Sequence, residues 1–458
     1  MQDDPLSIDR ELERARRLAD AGLVDEARHA YLRLVARTPN DLRALNDFGT
    51  FLMQRGLRAA ARTLYERALA IDPRSALVQA NLGNVLFAEN DYAAAQSYYE
   101  AALAIDPHHA AAHQGLSYAL LRLGRDDEAL VHRWLGFANR ALTTAPYRGT
   151  GPPRDVLLCV CAGGGTLYTD AFLDDRIFRT TTLVADMDDG APLPVVDVIF
   201  NAISDADRAS AALRSLEQRL AGSASPVINA PARVLATARA ANASRLAAVP
   251  GVVGPRMATV SRSELLEAGA AVVAAHGFTF PLLVRAPGFH TGEHFARVEA
   301  AGDLASAVAA FPGEDVLLVE YIDLRDAGGR VRKYRVMAID GALYPFHAAV
   351  SRDWKVHYFT ADMATEPANR AEDERFLADP QAALGAEAWT ALERIRDAVG
   401  LEYAGIDFGI DRSGRVVVFE ANATMIVLPP GPDAMWNYRR APVERVITAV
   451  RAMLLGRR

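Results

Sequence analysis

Apolar residues in the first third of the chain fall three or four apart, the spacing of amphipathic helices, in segments that return with a fixed shape. Pro39, Pro73 and Pro107 lie 34 residues apart and each closes one such segment. In the unit starting at Leu42, Leu45, Phe48, Gly49, Ala61, Tyr65 and Ala68 occupy the places taken by Gln79, Leu82, Gly83, Ala95, Tyr99 and Ala102 in the unit starting at Ala76. Small residues at Gly49/Gly83 and Ala61/Ala95 predict pairs of antiparallel helices in close approach, with Tyr65 and Tyr99 filling the space between them. A unit from Ile8 keeps Ala15, Ala27 and Tyr31. One from Ala110 keeps Leu116, Gly124 and Ala129 but has Ala141 where proline is expected. Such irregular end units cap a stack.

The pattern changes after a Gly/Pro-rich segment, Ala145 to Pro153, which cannot hold a regular helix or a central strand. Short continuous apolar runs follow at 156–161, 181–185, 196–202 and 226–229, with a helical stretch at 205–220, and predict a buried parallel sheet. Beyond about Leu235 strand candidates alternate with helices: 282–285, 316–322, 334–339, 342–347, 405–410 and 415–420. The expected division is a repeat domain over 1–142, a linker over 143–154, a small parallel α/β domain over 155–235 and an α+β domain over 236–458.

Length and charge narrow the function. A chain of 458 residues exceeds one ordinary core. Its net charge of −7 argues against a general nucleic-acid binder, which needs cations to displace counterions from phosphates. The start, MQDDPLSIDR, has no basic and then apolar segment, and no apolar run approaches a membrane span, so a cytoplasmic protein is expected. Cys159 and Cys161 are the only cysteines and read as two buried thiols. Gly163-Gly-Gly165 lacks the lysine and hydroxyl of a P-loop and reads as a strand-to-helix turn.

The strongest chemical signal lies in Gly405-Ile-Asp407-Phe to Phe-Glu420-Ala-Asn422. Two β-prone runs flank the turn signature Asp411-Arg-Ser-Gly414 and predict a hairpin. A turn centred between Arg412 and Ser413 sets residue 420 opposite 405. Period-2 alternation then puts Asp407, Glu420 and Asn422 on one face. Two carboxylates and an amide oxygen suit Mg²⁺ shared with phosphates. The bland alternative is a solvated polar face, which an isolated D…E-x-N would favour.

The company these residues keep resembles two families. The 34-residue period is that of tetratricopeptide repeats. Residues 155 to 455 resemble the ATP-grasp superfamily, in which a small α/β domain precedes two α+β lobes that clamp ATP. The resemblance implies a metal set of Asp407, Glu420 and Asn422 holding one or two Mg²⁺ ions. It implies ATP-binding roles for Arg245 in an early helix, Arg285 at the end of Pro281-Leu-Leu-Val-Arg285, and Gly288 and Gly292 in a phosphate-covering loop. Glu320, Tyr321 and Ile322 stand in the place of the adenine-contacting strand. Arg335, Arg352 and Lys355 match the basic segment before the metal hairpin and carry the catalytic expectation, whereas Lys333 reads as easily as a solvated strand residue. At both Arg245 and Arg285 the family usually has lysine, and the guanidinium fork reaches phosphate differently from an ammonium.

The activity implied is ADP-forming ligation: ATP phosphorylates a substrate carboxylate and an amine attacks the acyl phosphate. No nucleophilic side chain is needed, because positioning and charge neutralisation do the work. Arg43, Asn46, Asn84, Gln114 and Tyr118 fall at the positions that line the concave side of such repeats, which implies a peptide or protein partner there. The competing readings are a nucleotide-binding pseudoenzyme and a scaffold that acts through its repeats.

Overall fold

The computed structural model describes residues 5–138, 140–287, 289, 292–358 and 361–457. The chain divides into two compact units, Met1–Arg140 and Ala141–Arg458.

The first unit is eight helices: α1 (Pro5–Asp20), α2 (Val24–Arg37), α3 (Leu42–Met53), α4 (Arg58–Ile71), α5 (Ala76–Ala88), α6 (Tyr92–Ile105), α7 (Ala110–Arg122) and α8 (Asp126–Phe137). The second helix of each pair begins at 24, 58, 92 and 126, so the sequence period is the structural one. Glycine is required where paired helices touch. A Cβ on Gly83 would stand 2.7 Å from the Tyr99 ring, and one on Gly49 2.6 Å from the Tyr65 ring. The phenols then bond back to the same helices, Tyr99 Oη donating to Asn84 Oδ1 at 2.8 Å and Tyr65 Oη lying 3.1 Å from Thr50 Oγ1.

The second unit contains three sheets. The first holds β1 (Leu142–Thr144), β2 (Arg154–Val160), β3 (Phe178–Val184), β4 (Val198–Asn201) and β5 (Val227–Ile228) in the order β1-β3-β2-β4-β5. All its pairings are parallel except that of β1, which runs antiparallel to β3. The segment expected as a linker thus begins with an edge strand. Cys159 and Cys161 are free and buried, as expected. The glycine turn after β2 does not lead into a helix: Gly164 and Gly165 take positive φ, and Thr166 bridges to Ile203 instead. The N–H groups of Ala162 and Gly163 in that turn donate to the Asp186 carboxylate.

Strand β6 (Val252–Val253) belongs to the third sheet. The second sheet is antiparallel and comprises β7 (Met257–Ser261), β8 (Leu282–Arg285), β9 (Phe295–Val298) and β10 (Asp315–Glu320) in the order β7-β10-β8-β9. The third comprises β11 (Val331–Ile339), β12 (Ala342–Ser351), β13 (Tyr403–Ile410), β14 (Val416–Asn422) and β6, in the order β12-β11-β13-β14-β6. One of its faces, with Tyr334, Val336, Ile406 and Phe408, packs with residues of the helices Pro367–Ala378 and Ala386–Val399. The other face starts apolar, with Met337, Ile339 and Tyr403 against the helix Arg440–Gly456, and becomes charged toward Arg335 and Lys333.

The β13–β14 hairpin forms around the predicted turn, where the Asp411 carboxylate accepts the N–H groups of Ser413 and Arg415 and Gly414 adopts φ +80°. Its register differs from expectation. Asn422, not Glu420, faces Gly405, and Glu420 faces Asp407: the turn centres on Ser413, which moves the pairing by one residue, and a shift between Asp407 and Phe408 that leaves Phe419 as an extra residue moves it by one more. A second shift between Arg335 and Val336 makes Phe346 the extra residue on β12. The two bulges bracket the charged end of the sheet.

Candidate functional site

His347, Arg335, Asp407 and Glu420 are cross-strand partners in one row over β12, β11, β13 and β14. Asp407 is 1% exposed. It accepts two hydrogen bonds from Arg335, Nε to Oδ1 at 2.5 Å and Nη2 to Oδ2 at 2.8 Å, and pairs with Lys333 Nζ at 2.6 Å. Burial alone would raise the Asp407 pKa, but the Arg335 guanidinium and the Lys333 ammonium outweigh it and hold the carboxyl well below its ordinary range. Asp407 is therefore an ionised carboxylate with both oxygens engaged by cations. Lys333 belongs to the site, being two residues from Arg335 and on the same face; the alternation that assigned Arg335 could have assigned it. At the end of the row His347 is buried, and burial followed by the Arg335 cation drives its pKa well below that of free imidazole. Among the described residues its Nδ1 has no hydrogen-bond partner.

On the opposite side of Asp407 stands Glu420, whose Oε1 accepts from Arg239 Nη2 at 2.8 Å and from Asn422 Nδ2 at 3.0 Å. Arg239 opens the helix Arg239–Ala247, and its backbone N–H donates to the Asp207 carboxylate in the loop after β4. Burial raises the Asp207 pKa. Arg285, at the end of β8, is surrounded by the same charges. Burial and then the nearby Arg239 cation lower its pKa to about 10, against the attraction of Glu420, Asp205 and Asp207, so it remains a cation at neutral pH. A pocket beside the hairpin is walled by Arg239, Asn242, Met257, Phe419, Glu420 and Asn422.

Glu420 and Asn422 fit a hard cation. They are half-buried oxygen donors two residues apart on one strand; a cation there would have to compete with Arg239 for Glu420 and with the N–H and hydroxyl of Thr424 for Oδ1 of Asn422. Asp407 fits less directly, because a metal would have to compete with Arg335 and Lys333. Among the described residues no group of three or more His, Cys, Asp or Glu is arranged to hold a metal by itself.

The other predicted residues divide. Arg245 is exposed, with Nη2 bonded to Asn242 Oδ1 at 2.8 Å, and is not brought to the carboxylates; Arg239, six residues earlier on the same helix, is. Gly288 lies outside the described residues. Gly292, at φ +79°, and Lys355 do meet: Nζ donates to the Gly292 carbonyl at 2.8 Å, and a Cβ on Gly292 would stand 2.9 Å from Lys355 Cε. Arg352 is exposed and hydrogen-bonds none of the described residues. Glu320 is held by Arg256 Nε at 3.2 Å, Tyr321 lies 4.1 Å beneath the Arg297 guanidinium, and Ile322 is half-buried beside it.

Comparison with known proteins bears on the first unit. Family models described as tetratricopeptide repeat match residues 12–76 and 86–131. The N-terminal region is built of tetratricopeptide repeats. Similar solved structures include one titled "Crystal structure of MamA", 23% identical over 29% of this chain and 78% of that one with a TM-score of 0.27. Another is titled "MamA RS-1 ArsTM double mutant", at 19% identity over 29% of this chain and 75% of that one, with a TM-score of 0.27. No curated protein matches the chain. No described helix is long and apolar enough to cross a membrane.

Within the repeats, the polar row expected on the concave side is largely engaged in the chain itself. Arg43 pairs with Asp9 at 2.6 Å and Asp41 at 3.3 Å. Buried Asn46 accepts from Asn81, Asn84 accepts from Tyr99, and Gln114 donates to the Gly136 carbonyl. Tyr118 is half-buried and also has an interaction within the chain. Asn84 is exposed, and among the described residues its amide NH₂ donates to none.

Proposed function

We propose that Ala141–Arg458 is an ADP-forming ligase of the ATP-grasp kind, which activates a carboxylate for attack by an amine, and that the repeats recruit a protein partner. The observation that supports it best is the convergence of Arg239, Arg285, Lys333 and Arg335 on the Asp407–Glu420 row from three separate parts of the unit. Four cations here meet four carboxylates, Asp407, Glu420, Asp205 and Asp207, a mixed lining that matches a site for a polyanion that arrives with metal ions.

In this reading Arg285 and Arg239 bind the nucleotide phosphates. Glu420 and Asn422 would hold Mg²⁺, which when bound neutralises phosphate charge. The substrate carboxylate oxygen attacks the γ-phosphorus, ADP leaves, and the resulting acyl phosphate loses phosphate when an amine attacks its carbonyl and gives up a proton. Arg335 and Lys333 offer their remaining N–H groups to the charge that develops in that transfer, and Asp407 fixes both cations in place. Lys355 donates to the Gly292 carbonyl and would carry its charge on that loop.

The full-length protein with MgATP and a panel of carboxylates and amines should release ADP and phosphate. Release of AMP and pyrophosphate instead would overturn the acyl-phosphate route. A second reading, nucleotide binding without turnover, is favoured by the pairing of Glu420 with Arg239 and of Asp407 with two cations. Under it MgADP binds, but no substrate panel produces ADP from ATP.

A further inference from the structure

Arg439 ends the short helix Ala434–Arg439 and is 7% exposed, a burial that arginine tolerates only when its donors are met. They are not met here. Among the described residues its guanidinium makes no hydrogen bond; Nε is enclosed and unpartnered, and Asp373 Oδ2 lies 3.9 Å from it. Asp373 is itself already occupied. Its Oδ2 accepts from Tyr438 at 2.7 Å and Tyr358 at 3.1 Å, and its Oδ1 accepts the Ala348 N–H at 2.7 Å. The guanidinium is instead held by a ring face, 4.2 Å above Tyr358, with Phe346 at 5.9 Å. A second orphan stands close by: His347 is 4% exposed, has an unpartnered Nδ1, and packs its ring 4.7 Å from that of Tyr358.

These two groups mark the continuation of the charged row past β12. His347 is the cross-strand partner of Arg335, and it feels the cations Arg335, Arg439 and Lys333 against the single carboxylate Asp407. We infer that Arg439, with His347 beside it, is the receptor for a carboxylate group of the non-nucleotide substrate, which it presents toward the Arg335–Asp407 end of the row. The substrate's role rests on the ligase reading; the receptor itself does not. A guanidinium over a phenol ring that hydrogen-bonds none of the described residues has its donors left for a ligand, and its fork matches a planar carboxylate. The Asp373 carboxylate near Nε disfavours a doubly charged phosphate more than a singly charged carboxylate.

The test uses the full-length protein without nucleotide, titrated calorimetrically with malonate, succinate and glutarate, and with inorganic phosphate for comparison. At least one dicarboxylate should bind saturably, and Arg439→Gln should weaken it about tenfold or more, the scale of a lost charge-assisted fork. Absence of saturable dicarboxylate binding, equal affinity in the variant, or binding of phosphate alone would each overturn the assignment. If Arg439→Gln does not fold, the parent is treated with butanedione, and the modification of Arg439 is followed by peptide mass spectrometry. Protection by the bound dicarboxylate supports the assignment, and equal modification with and without it overturns it. MgADP titration of the same samples reads the nucleotide site separately. Loss of that signal alone defeats the ligase reading and leaves the Arg439 receptor in place.

Discussion

At the residue scale, Asp407 supports the fold as much as the chemistry. Replacing it with asparagine keeps the shape but leaves Arg335 and Lys333 unpaired in a buried row, and breaking such a pair costs about 3–5 kcal/mol. Urea unfolding of Asp407→Asn should show that loss; a midpoint equal to the parent's would mean that the cations find other partners. Glu420→Gln should differ, since Glu420 is half-buried and Arg239, which pairs with it, keeps the attraction of Asp207 and Asp205. There Mg²⁺-dependent ADP release should vanish while the unfolding midpoint changes little. His347 sets a pH dependence. Its folded pKa is far below the unfolded value of about 6.5, so below that pH the unfolded state binds the extra proton, and stability falls by up to about 1.4 kcal/mol per pH unit. Asp407, lowered from its ordinary value, contributes in the same direction but only below about pH 4, where the unfolded carboxyl takes up its proton. Between pH 6.5 and 5 His347→Gln should therefore show a flatter stability profile than the parent. Identical slopes would show that His347 is not held neutral.

At the element scale, the repeats test how closely helices can approach. Gly83→Ala puts a methyl group 2.7 Å from the Tyr99 ring, which is also crowded at Gly115, where a Cβ would stand 2.4 Å from it. Overpacking should therefore cost about 1–3 kcal/mol, read as a lower midpoint of the helical circular-dichroism transition. Tyr99→Leu in the same chain should restore part of it. This contact was legible in sequence because it is local: Gly83 and Tyr99 lie 16 positions apart within one period. The hairpin was legible for the same reason, through alternation and a turn signature. Its register was not, since nothing in a run of Val, Val, Val and Phe announces that Phe419 will bulge out. Arg239 was invisible for a different reason. It meets Glu420 from 181 positions away, and a basic residue at a helix start carries no sign of such a partner. Arg245, chosen by its place in a family pattern, lies on the same helix as an exposed residue whose guanidinium bonds Asn242.

At the scale of the whole molecule, the ligase reading asks a chain of net charge −7 to take a polyanion at the one place where Arg239, Arg285, Lys333 and Arg335 gather, and not over its surface. All of that place comes from Ala141–Arg458: the loop bearing Asp207, the helix opened by Arg239, the end of β8 at Arg285 and the β13–β14 hairpin. These pieces belong to three sheets, and a ligand that touches each of them must slow their local opening together. Hydrogen exchange of the full-length protein with MgADP at a hundredfold excess over Kd, where binding adds about 2.7 kcal/mol, tests this directly. Peptides covering 203–209, 239–247, 282–287 and 416–422 should exchange more slowly. Peptides from α3 to α6 contribute no residue to the site and serve as the reference within the same molecule. Slowing confined to 416–422 would reduce the site to the hairpin alone. Equal slowing in the repeats and the sheets would mean that the nucleotide binds without using the charged row, and the assignment of Arg239 and Arg285 to its phosphates would fall.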